Sequence, residues 1–454
     1  MDTLIDNYNK NSDLIITKSD GVTLSDSNGN KYLDFYSGVC VMNLGHNPQG
    51  WSDMLLDIVT KFVYISNYFY NQNEINLSNQ LSKLVEKSIP NAKVFFYNSD
   101  TEANEGALKF AILQNNLKQV KSNIMVFNRS LESLYCTHNK AYREPFYDHL
   151  NKVHFWHWNK LDGLKEYIIE NNINIIINEP IQGESGVIPM NKEFASLLND
   201  LHDELKFMWI IDEVQTGMGR CGEIFAHHIY DVKPDFVTLA KALGNGIPIG
   251  AVICANNAIV KSGDNGTTFS GNPFATGVAC WILNKIIEDN LPSKAIDTGN
   301  YIMDKLRKIA NNPTSKIVDI RGVGLFIGLE LDKTRNIYDI INGLREEKIL
   351  CIGAENNTLR ICPPLIINIS DVDIFIDKLS NLLINNGQPT AAVPVTTALP
   401  VRMIITSKTV RPSEIVAESE IVTESEIVTG SETVIVSNTE YESESVMDTL
   451  RAHA

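Results

Sequence analysis

Two short apolar runs, each followed by a charged residue, constrain this chain more than any other feature. Residues 207–211 (FMWII) precede Asp212, and residues 236–240 (FVTLA) precede Lys241. Runs of this length, bounded by Gly, Pro and charge, are typical of strands buried on both faces of a parallel sheet. Open α/β sheets bind their ligands at the carboxyl ends of the strands. The sequence therefore predicts that Asp212 and Lys241 lie together at a binding site.

An acid and a lysine in such a place have a specific chemical use. Loss of water around a lysine disfavours its ammonium form and frees the amine to attack a carbonyl carbon. Pyridoxal phosphate needs both residues: a lysine that forms a Schiff base with its aldehyde, and a carboxylate that keeps its pyridine nitrogen protonated. Taken alone, Asp212 and Lys241 are equally compatible with the charged strand ends of an ordinary α/β protein.

An anion site is predicted earlier in the chain. Residues 92–97 predict a strand, and residues 98–114 predict a polar turn that leads into a helix. The first backbone N–H groups of a helix are unpaired and attract negative charge. On these residues alone, an ordinary helix cap formed by Ser99 or Thr101 is favoured over an anion site.

Strand and helix patterns alternate through much of the chain and predict an α/β fold. We expect a large cofactor-binding domain over residues 46–290, with a mostly parallel central sheet. From residue 291 the pattern changes to short strands between helices. This change predicts a smaller α+β domain over residues 291–387, to which residues 1–45 contribute an N-terminal segment.

Residues 388–454 differ in composition from the rest of the chain. Within them, residues 413–436 form four six-residue units, SEIVAE, SEIVTE, SEIVTG and SETVIV. A segment dominated by Ser, Thr, Val and Glu lacks the spread of apolar and aromatic residues that a core needs. We therefore predict a low-complexity acidic tail that is disordered, with β-pairing of the repeats as the alternative.

Charge and cysteine usage exclude several classes of protein. A formal net charge of -16 argues against a nucleic-acid-binding surface. The seven cysteines form no Cys-x-x-Cys pair and show no metal-ligand spacing, so we expect free thiols in a reducing compartment and no metal. The sequence shows no N-terminal secretion signal and no apolar run of about 18 residues. It predicts a cytoplasmic protein that binds neither membrane nor nucleic acid.

These features, in this order, resemble the class III pyridoxal-phosphate-dependent aminotransferases, the group of the acetylornithine, ornithine and 4-aminobutyrate enzymes. The likeness covers about residues 15–386 and is most specific at residues 211–217, IDEVQTG, with Lys241 downstream. It implies fold type I of the pyridoxal-phosphate-dependent transferases, and a homodimer with both active sites at the subunit interface. It also implies ping-pong transfer of an amino group from an ω-amino acid to 2-oxoglutarate.

The resemblance assigns roles to individual residues. Asp212 would bind the pyridine nitrogen, and Lys241 would hold the cofactor aldehyde and then move the substrate proton between Cα and C4′ as general base and acid. Arg360 would bind a substrate carboxylate, and Glu184 would neutralise Arg360 in the other half-reaction. The remaining cofactor contacts would come from Gln215 at the phenolic oxygen, from Ser99, Asp100 and Thr101 at the phosphate, from Thr268 at the phosphate of the neighbouring subunit, and from Phe127 stacked on the ring.

Several positions depart from the pattern of the family. Asp100 stands where the family has a glycine, and a carboxylate beside a phosphate dianion is repulsive. The loop that supplies a stacking ring is reduced to Phe127-Asn128-Arg129-Ser130, although Arg129 keeps the spacing of the residue that binds the substrate α-carboxylate. Ser270 also replaces a glycine. We therefore expect weaker cofactor binding than residues 211–217 alone imply.

The identity of the amino donor is less constrained. Val39 stands where ornithine aminotransferases have a tyrosine and resembles the acetylornithine and 4-aminobutyrate members, while Arg129 favours a donor of the acetylornithine or ornithine type. Two alternatives remain open at this point. One is a catalytically weakened homologue that acts as a binding or assembly protein, and the other is an aminomutase or decarboxylase on the same fold.

Overall fold

Strands and helices alternate along most of the chain, as predicted. The computed structural model describes residues 14–114, 123–127, 152–255 and 261–384, which all belong to one compact unit. The strands, in chain order, are β1 (Ile16–Asp20), β2 (Thr23–Asp26), β3 (Lys31–Asp34), β4 (Lys93–Tyr97), β5 (Asn123–Phe127), β6 (Lys152–Trp156), β7 (Ile175–Asn178), β8 (Ile181–Gln182), β9 (Ile188–Pro189), β10 (Met208–Asp212), β11 (Phe236–Leu239), β12 (Gly250–Cys254), β13 (Ile317–Val323), β14 (Phe326–Leu331), β15 (Ile349–Leu350), β16 (Ile352–Ala354) and β17 (Thr358–Ile361). The helices are α1 (Trp51–Lys61), α2 (Gln72–Val85), α3 (Asp100–Gln114), α4 (Leu164–Glu170), α5 (Lys192–Leu205), α6 (Pro273–Glu288), α7 (Leu291–Ala310), α8 (Ile337–Glu346) and α9 (Ile369–Ile384). Shorter helical turns cover Ser37–Cys40, Ala226–Tyr230, Lys241–Leu243 and Pro313–Ser315.

The largest sheet has the mostly parallel arrangement expected of the predicted α/β fold. Its seven strands lie in the order β4-β12-β11-β10-β7-β5-β6. Strand β10 runs parallel to β11 on one side and to β7 on the other, and β5 runs parallel to β7 and β6. Strand β12 is antiparallel to both of its neighbours. Every residue of β7, β11 and β12 is buried, which explains the absence of polar alternation in their sequences.

Both faces of this sheet are covered by apolar side chains. Because side chains alternate along a strand, Trp209 and Ile211 of β10 pack into one core cluster, whereas Ile210 packs into a second cluster. Helix α2 supplies Leu77 to the first cluster, and helix α3 supplies Phe110 to the second. Apolar packing on both faces therefore fixes the position of the sheet and of the side chains at the ends of its strands.

Asparagine side chains cap the starts of several helices, among them α8 (Asn336) and α9 (Asn368). Such side chains also accept hydrogen bonds from backbone N–H groups in the first turns of α2, α5 and α6, which satisfies donors that a helix start otherwise leaves unpaired. The capping residues of α2, α5 and α6 are Asn71, Asn191 and Asn272. In α6 a proline follows the cap directly, at the position where its missing N–H is not needed.

Two four-stranded sheets are built mainly from the two ends of the described chain. Their strand orders are β1-β2-β3-β15 and β13-β14-β17-β16. Strand β15 pairs in parallel with β3, with Ile349 opposite Leu33, so an N-terminal segment and a late segment share one sheet. The limits of the predicted domains remain predictions. The tail predicted at residues 388–454 lies outside the described residues.

Candidate active site

Asp212 and Lys241 lie at the carboxyl edge of the central sheet. Asp212 ends β10, where it is paired with Thr238 of β11, and Lys241 follows the end of β11 by two residues. Asp212 is buried and Lys241 is half-buried. An acid and an amine therefore share the edge at which α/β sheets bind their ligands.

Lys241 has an unusual backbone conformation. Its φ is 39°, in the left-handed region that few residues other than glycine adopt. The turn after it is tight, because a Cβ added at Gly244 would lie 1.8 Å from the carbonyl oxygen of Ile247. Backbone strain that is held in place by the surrounding structure is characteristic of functional sites. The turn thus presents Lys241 from a fixed position.

Asp212 is held by hydrogen bonds to both carboxylate oxygens. Its Oδ1 accepts from the backbone N–H of Val214 at 2.8 Å, and its Oδ2 accepts from Asn104 Nδ2 at 2.8 Å. Thr238 Oγ1 donates in turn to Asn104 Oδ1 at 2.6 Å. Burial raises the pKa of Asp212 to about 6 in spite of these hydrogen bonds and the positive charge of Lys241. A protonated pyridine nitrogen would stabilise the ionised form of such a carboxylate.

Asn104 is a positioning residue that the sequence analysis missed. It lies on α3, whose residues Ala103, Ala107 and Phe110 are buried in the second core cluster. A polar residue beside this apolar stripe is a detectable signal, because a buried amide needs hydrogen-bond partners. Its partner Asp212 is 108 positions away, so the pairing is visible only in the folded chain.

A buried network fixes the turn that follows Asp212. Glu213 Oε1 accepts hydrogen bonds from the backbone N–H and from Nδ1 of His227, at 2.7 and 2.8 Å, and Glu213 Oε2 accepts from Thr216 Oγ1 at 2.7 Å. His227 Nε2 lies 2.8 Å from Ser88 Oγ. Fully satisfied networks in a low-dielectric interior rigidify the backbone that carries them. The turn between Asp212 and the following residues is therefore stiff.

The predicted anion site lies at the start of α3. Ser99 Oγ accepts from the backbone N–H of Glu102 at 3.2 Å, as a helix cap does. Asp100 Oδ1 accepts from the backbone N–H of Thr101 at 2.8 Å. A helix start attracts anions through such N–H groups. In this chain the carboxylate of Asp100 already engages one of them.

Arg360 carries a positive charge into the protein interior. It lies on β17 with 1% of its surface exposed, and its Nη1 donates to Glu184 Oε1 at 2.7 Å and to Gln215 Oε1 at 3.1 Å. Gln215 Nε2 donates to Glu184 Oε1 at 3.3 Å. Burial opposes the ionisation of Glu184, but the charge and hydrogen bonds of Arg360 hold the pKa of that carboxyl below its usual range. The inward guanidinium thus has an anionic partner, the Glu184 that the resemblance implied.

Asp212 and Lys241 interact electrostatically with the Arg360–Glu184 pair. The positive charge of Lys241 acts on the carboxyls of both Asp212 and Glu184 and lowers the pKa of each. It also acts on Glu179, a buried acid just after β7 to which the sequence analysis assigned no role. Three carboxyls and two cations are therefore gathered around one edge of the sheet.

The other predicted site residues are placed differently. Thr268 is exposed, whereas its neighbour Thr267 accepts a hydrogen bond from Asn98 of the same chain at 3.2 Å. Phe127 ends β5, but its side chain and the whole of Arg129 lie outside the described part of the chain. Across the described ranges, no group of three His, Cys, Asp or Glu side chains is placed to hold a metal ion. No helix in those ranges is both long and apolar enough to cross a membrane.

The donor set at this edge fits pyridoxal phosphate. The cofactor needs a fixed amine, a buried carboxylate and N–H groups for its phosphate. Lys241, Asp212 and the start of α3 supply these groups. Arg360, whose Nη1 is paired with Glu184, supplies a cation for an anionic group of a substrate. Among these residues, the carboxylate of Asp100 would repel a phosphate.

A mostly parallel sheet with a lysine and a buried acid at its carboxyl edge fits the class of pyridoxal-phosphate-dependent enzymes. The chain belongs to the class-III aminotransferases: the family model described as Aminotransferase class-III matches residues 5–383. It is therefore a pyridoxal-phosphate-dependent aminotransferase, as the resemblance implied.

Individual relatives are similar over most of their length. The probable mitochondrial acetylornithine aminotransferase of Dictyostelium discoideum is 37% identical over 396 residues, which cover 84% of this chain and 86% of the relative. The acetylornithine aminotransferase of Clostridium acetobutylicum is 38% identical, with coverage of 78% and 92%. The solved structure of the ornithine aminotransferase of Toxoplasma gondii has a TM-score of 0.78 at 25% identity and covers 85% of this chain and 92% of that chain. The predicted family and fold are confirmed.

Proposed function

We propose that this chain moves the ω-amino group of a donor of the acetylornithine type to 2-oxoglutarate by a ping-pong mechanism. The observation that carries this proposal is the buried Arg360–Glu184 pair, which shares an edge of the sheet with Asp212 and Lys241. The names of the similar proteins from Dictyostelium discoideum and Clostridium acetobutylicum support the choice of donor.

The residues of the site have separate roles in the transfer of the amino group. Pyridoxal phosphate, when bound, would supply an aldehyde that takes up the amino group and a ring that delocalises the electrons of the C–H bond broken at the carbon that carries the ω-amine. Lys241 Nζ takes the proton from the substrate carbon and returns it at the neighbouring position. Asp212 holds a compensating negative charge at the ring nitrogen, and Ser99 and Thr101 hold the phosphate.

The Arg360–Glu184 pair allows one site to accept two different substrates. While Glu184 neutralises Arg360, the pocket suits a donor whose reacting end carries no carboxylate. When 2-oxoglutarate enters, its carboxylate replaces Glu184 as the partner of Arg360. Gln215 donates to Glu184 and accepts from Arg360, so it can keep a hydrogen bond to one of them in either half-reaction. Val39 is half-buried with a φ of 63°, and we assign it to the wall that selects the donor.

Separate half-reactions test the choice of donor. Acetylornithine, ornithine and 4-aminobutyrate are each mixed with the cofactor-loaded protein without an acceptor, and the loss of the visible absorbance band is timed. We expect acetylornithine to react fastest. A faster reaction with 4-aminobutyrate would reassign the donor, and no spectral change with any of the three would refute the proposed function.

We also propose that the chain works as a homodimer through an exposed aromatic surface. Tyr68 and Tyr70 expose 93% and 89% of their surfaces, and Phe269 packs edge-on against Tyr64 with ring centroids 5.7 Å apart. Large exposed apolar patches mark interaction surfaces. Thr268 adjoins this patch, so a second copy that covers it would carry Thr268 towards the phosphate site of its partner.

Replacing Tyr68 and Tyr70 together by aspartate is expected to give a monomer, because the interface would then have to bury two unpaired carboxylates. Light scattering should give about twice the chain mass of 50.7 kDa for the wild type and a single chain mass for the variant. Tyr338→Asp alters an exposed tyrosine on α8 and serves as the matched control, which should remain dimeric. A monomeric wild type would contradict the proposal.

Replacing Asp100 by glycine is expected to tighten cofactor binding at least tenfold. Its carboxylate accepts from the N–H of Thr101 and would lie beside the phosphate, where two unit charges about 4 Å apart repel by about 1 kcal/mol in water and about 4 kcal/mol near a protein surface. Fluorescence titration of the cofactor-free full chain gives the dissociation constants. Asp100→Asn should show most of the gain, and Asp304→Asn, at an exposed position of α7, should show none. Unchanged affinity in both Asp100 variants would show that this acid does not oppose the phosphate.

We place the protein in a reducing compartment, the cytoplasm. The described cysteines are free of disulfides, as is usual in such compartments. Localisation of the tagged full chain by microscopy checks this, and an organellar signal would contradict it.

A further inference from the structure

Glu179 is a buried acid with an incomplete set of hydrogen bonds. It follows β7 directly, and 5% of its surface is exposed. Its Oε2 accepts a hydrogen bond from the backbone N–H of Gly183 at 3.0 Å. Its Oε1 is buried and has no hydrogen-bond partner among the described residues. Because a buried carboxylate with an unpartnered oxygen is costly, this geometry favours the protonated acid.

The charges around Glu179 favour the same form. Burial raises the pKa of Glu179 to about 8, and the negative charges of Asp212 and Glu184 act in the same direction. A backbone N–H group and the charge of Lys241 oppose this shift without reversing it. With Glu179 neutral, the anions Asp212 and Glu184 are matched by the cations Lys241 and Arg360.

We propose that Glu179 is carried as a neutral carboxylic acid and acts as a positioning residue for Glu184 in the second half-reaction. This inference rests on the proposed function. When a carboxylate of the 2-oxo acid binds Arg360, Glu184, whose side chain is 34% exposed, loses its cationic partner. The O–H group of Glu179 then donates to the Glu184 carboxylate. The proton stays between the two carboxyls, as it does in other acid pairs that share one proton, and none is taken up or released.

Glu184 needs such a donor because its remaining contacts are few. In the paired state it accepts from Arg360 Nη1 and Nη2, at 2.7 and 3.4 Å, and from Gln215 Nε2 at 3.3 Å. Once Arg360 turns to the substrate, Gln215 is the donor that stays, and a carboxylate has room for several. Glu179 Oε2 is bound by the backbone N–H of Gly183, the residue directly before Glu184, so Glu179 can supply a further donor from within the same turn.

The protonated acid is detectable in the holoenzyme itself. Infrared difference spectra of the full chain near neutral pH should show the carbonyl band of a buried carboxylic acid. The band should be absent from Glu179→Gln and should persist in the control Glu223→Gln, which replaces an exposed acid. It should disappear as the pH rises through about 8. If Glu179→Gln removes no such band, the proposal is overturned, whichever amino donor the enzyme uses.

Stability gives a second measurement that needs no substrate. The folded protein binds the proton of Glu179 more tightly than the unfolded chain does, where the pKa is near its ordinary value of 4.5. The stability contributed by this proton is complete below about 4.5 and is lost as the pH rises through about 8. As the pH rises from about 4.5 to about 8, the midpoint of thermal unfolding of the wild type should therefore fall relative to that of Glu179→Gln. Parallel pH profiles would refute the protonated state.

Half-reactions distinguish positioning from a merely structural role. Glu179→Gln keeps an N–H donor and should retain the affinity for 2-oxoglutarate within about threefold, whereas Glu179→Leu should weaken it roughly tenfold or more. The donor half-reaction should be unchanged in both variants. Equal losses in the two half-reactions would overturn the proposal, and Glu179→Gln carries the test if the leucine variant does not fold. If no ω-amine reacts with the wild type, the proposed function fails, while the infrared and unfolding results still decide the state of Glu179.

Discussion

Replacing Lys241 by alanine is expected to abolish amino transfer and the visible absorbance band of the cofactor-loaded protein. Lys241 is the amine at the carboxyl edge of the sheet, and its charge acts on both Asp212 and Glu184. Loss of a proton-transferring group alone costs about 10²–10⁴-fold in rate, and Lys241 is also the residue that binds the aldehyde. We therefore expect kcat to fall by roughly 10⁴-fold or more, measured in single half-reactions.

The alanine variant tests chemistry rather than folding, for a structural reason. Lys241 has a φ of 39°, and alanine carries the same Cβ, so the substitution neither adds nor relieves backbone strain. Loss of the positive charge beside Asp212 and Glu184 should lower the midpoint of thermal unfolding, but the variant should still fold. Lys233→Ala removes an exposed lysine shortly before β11 and is the matched control, which should keep both the band and the activity. A band that survives in Lys241→Ala would contradict the assignment.

The central sheet and its strand-end residues were predictable because local patterns determine them. The apolar runs at residues 207–211 and 236–240 form β10 and β11, which are parallel neighbours with Asp212 opposite Thr238. A buried strand needs only a run of apolar residues, and the residue after it necessarily emerges at the sheet edge. Such predictions require no knowledge of distant contacts.

The residues that support the site could not be found in this way, because they come from distant segments. Asn104 contacts Asp212 across 108 positions, and Arg360 contacts Glu184 across 176. Only the resemblance pointed to Glu184 as the partner of Arg360. Glu179 and Glu184 lie in the same short segment, and no local pattern separates them. Burial and an unpartnered oxygen distinguish Glu179.

The burial of Arg220 in the protein core could not be predicted from the sequence either. Arginine is rarely buried, and a sequence pattern places it on the surface. In the structure it is fully buried and donates to the carbonyl oxygens of Leu325 and Pro363, at 3.0 and 2.5 Å, and to Asn43 Oδ1 at 2.5 Å. Its acceptors lie in three separate segments that only the completed fold brings together. A buried cation can be identified only when all its acceptors are in place.

Replacing Arg360 by methionine is expected to block the half-reaction with 2-oxoglutarate and to destabilise the fold. The substrate carboxylate would lose a buried cationic partner, a change that costs about 2–5 kcal/mol, which corresponds to roughly 30- to 4,000-fold in affinity. Glu184 would also lose its counter-ion. We expect this to lower the free energy of unfolding by up to about 3 kcal/mol, less than for a fully buried pair, because the Glu184 side chain keeps 34% of its surface exposed. Denaturant unfolding and acceptor half-reactions measure the two effects.

Adding Glu184→Gln to Arg360→Met separates stability from substrate binding. The double variant no longer buries an unpaired charge, so its free energy of unfolding should return close to that of the wild type. Its reaction with 2-oxoglutarate should stay blocked, because the cation that binds the carboxylate is still missing. Glu184→Gln alone should instead slow the ω-amine half-reaction, since Arg360 then faces the donor without its counter-ion. Normal acceptor kinetics in Arg360→Met, or no recovery of stability in the double variant, would contradict the switch assigned to this pair.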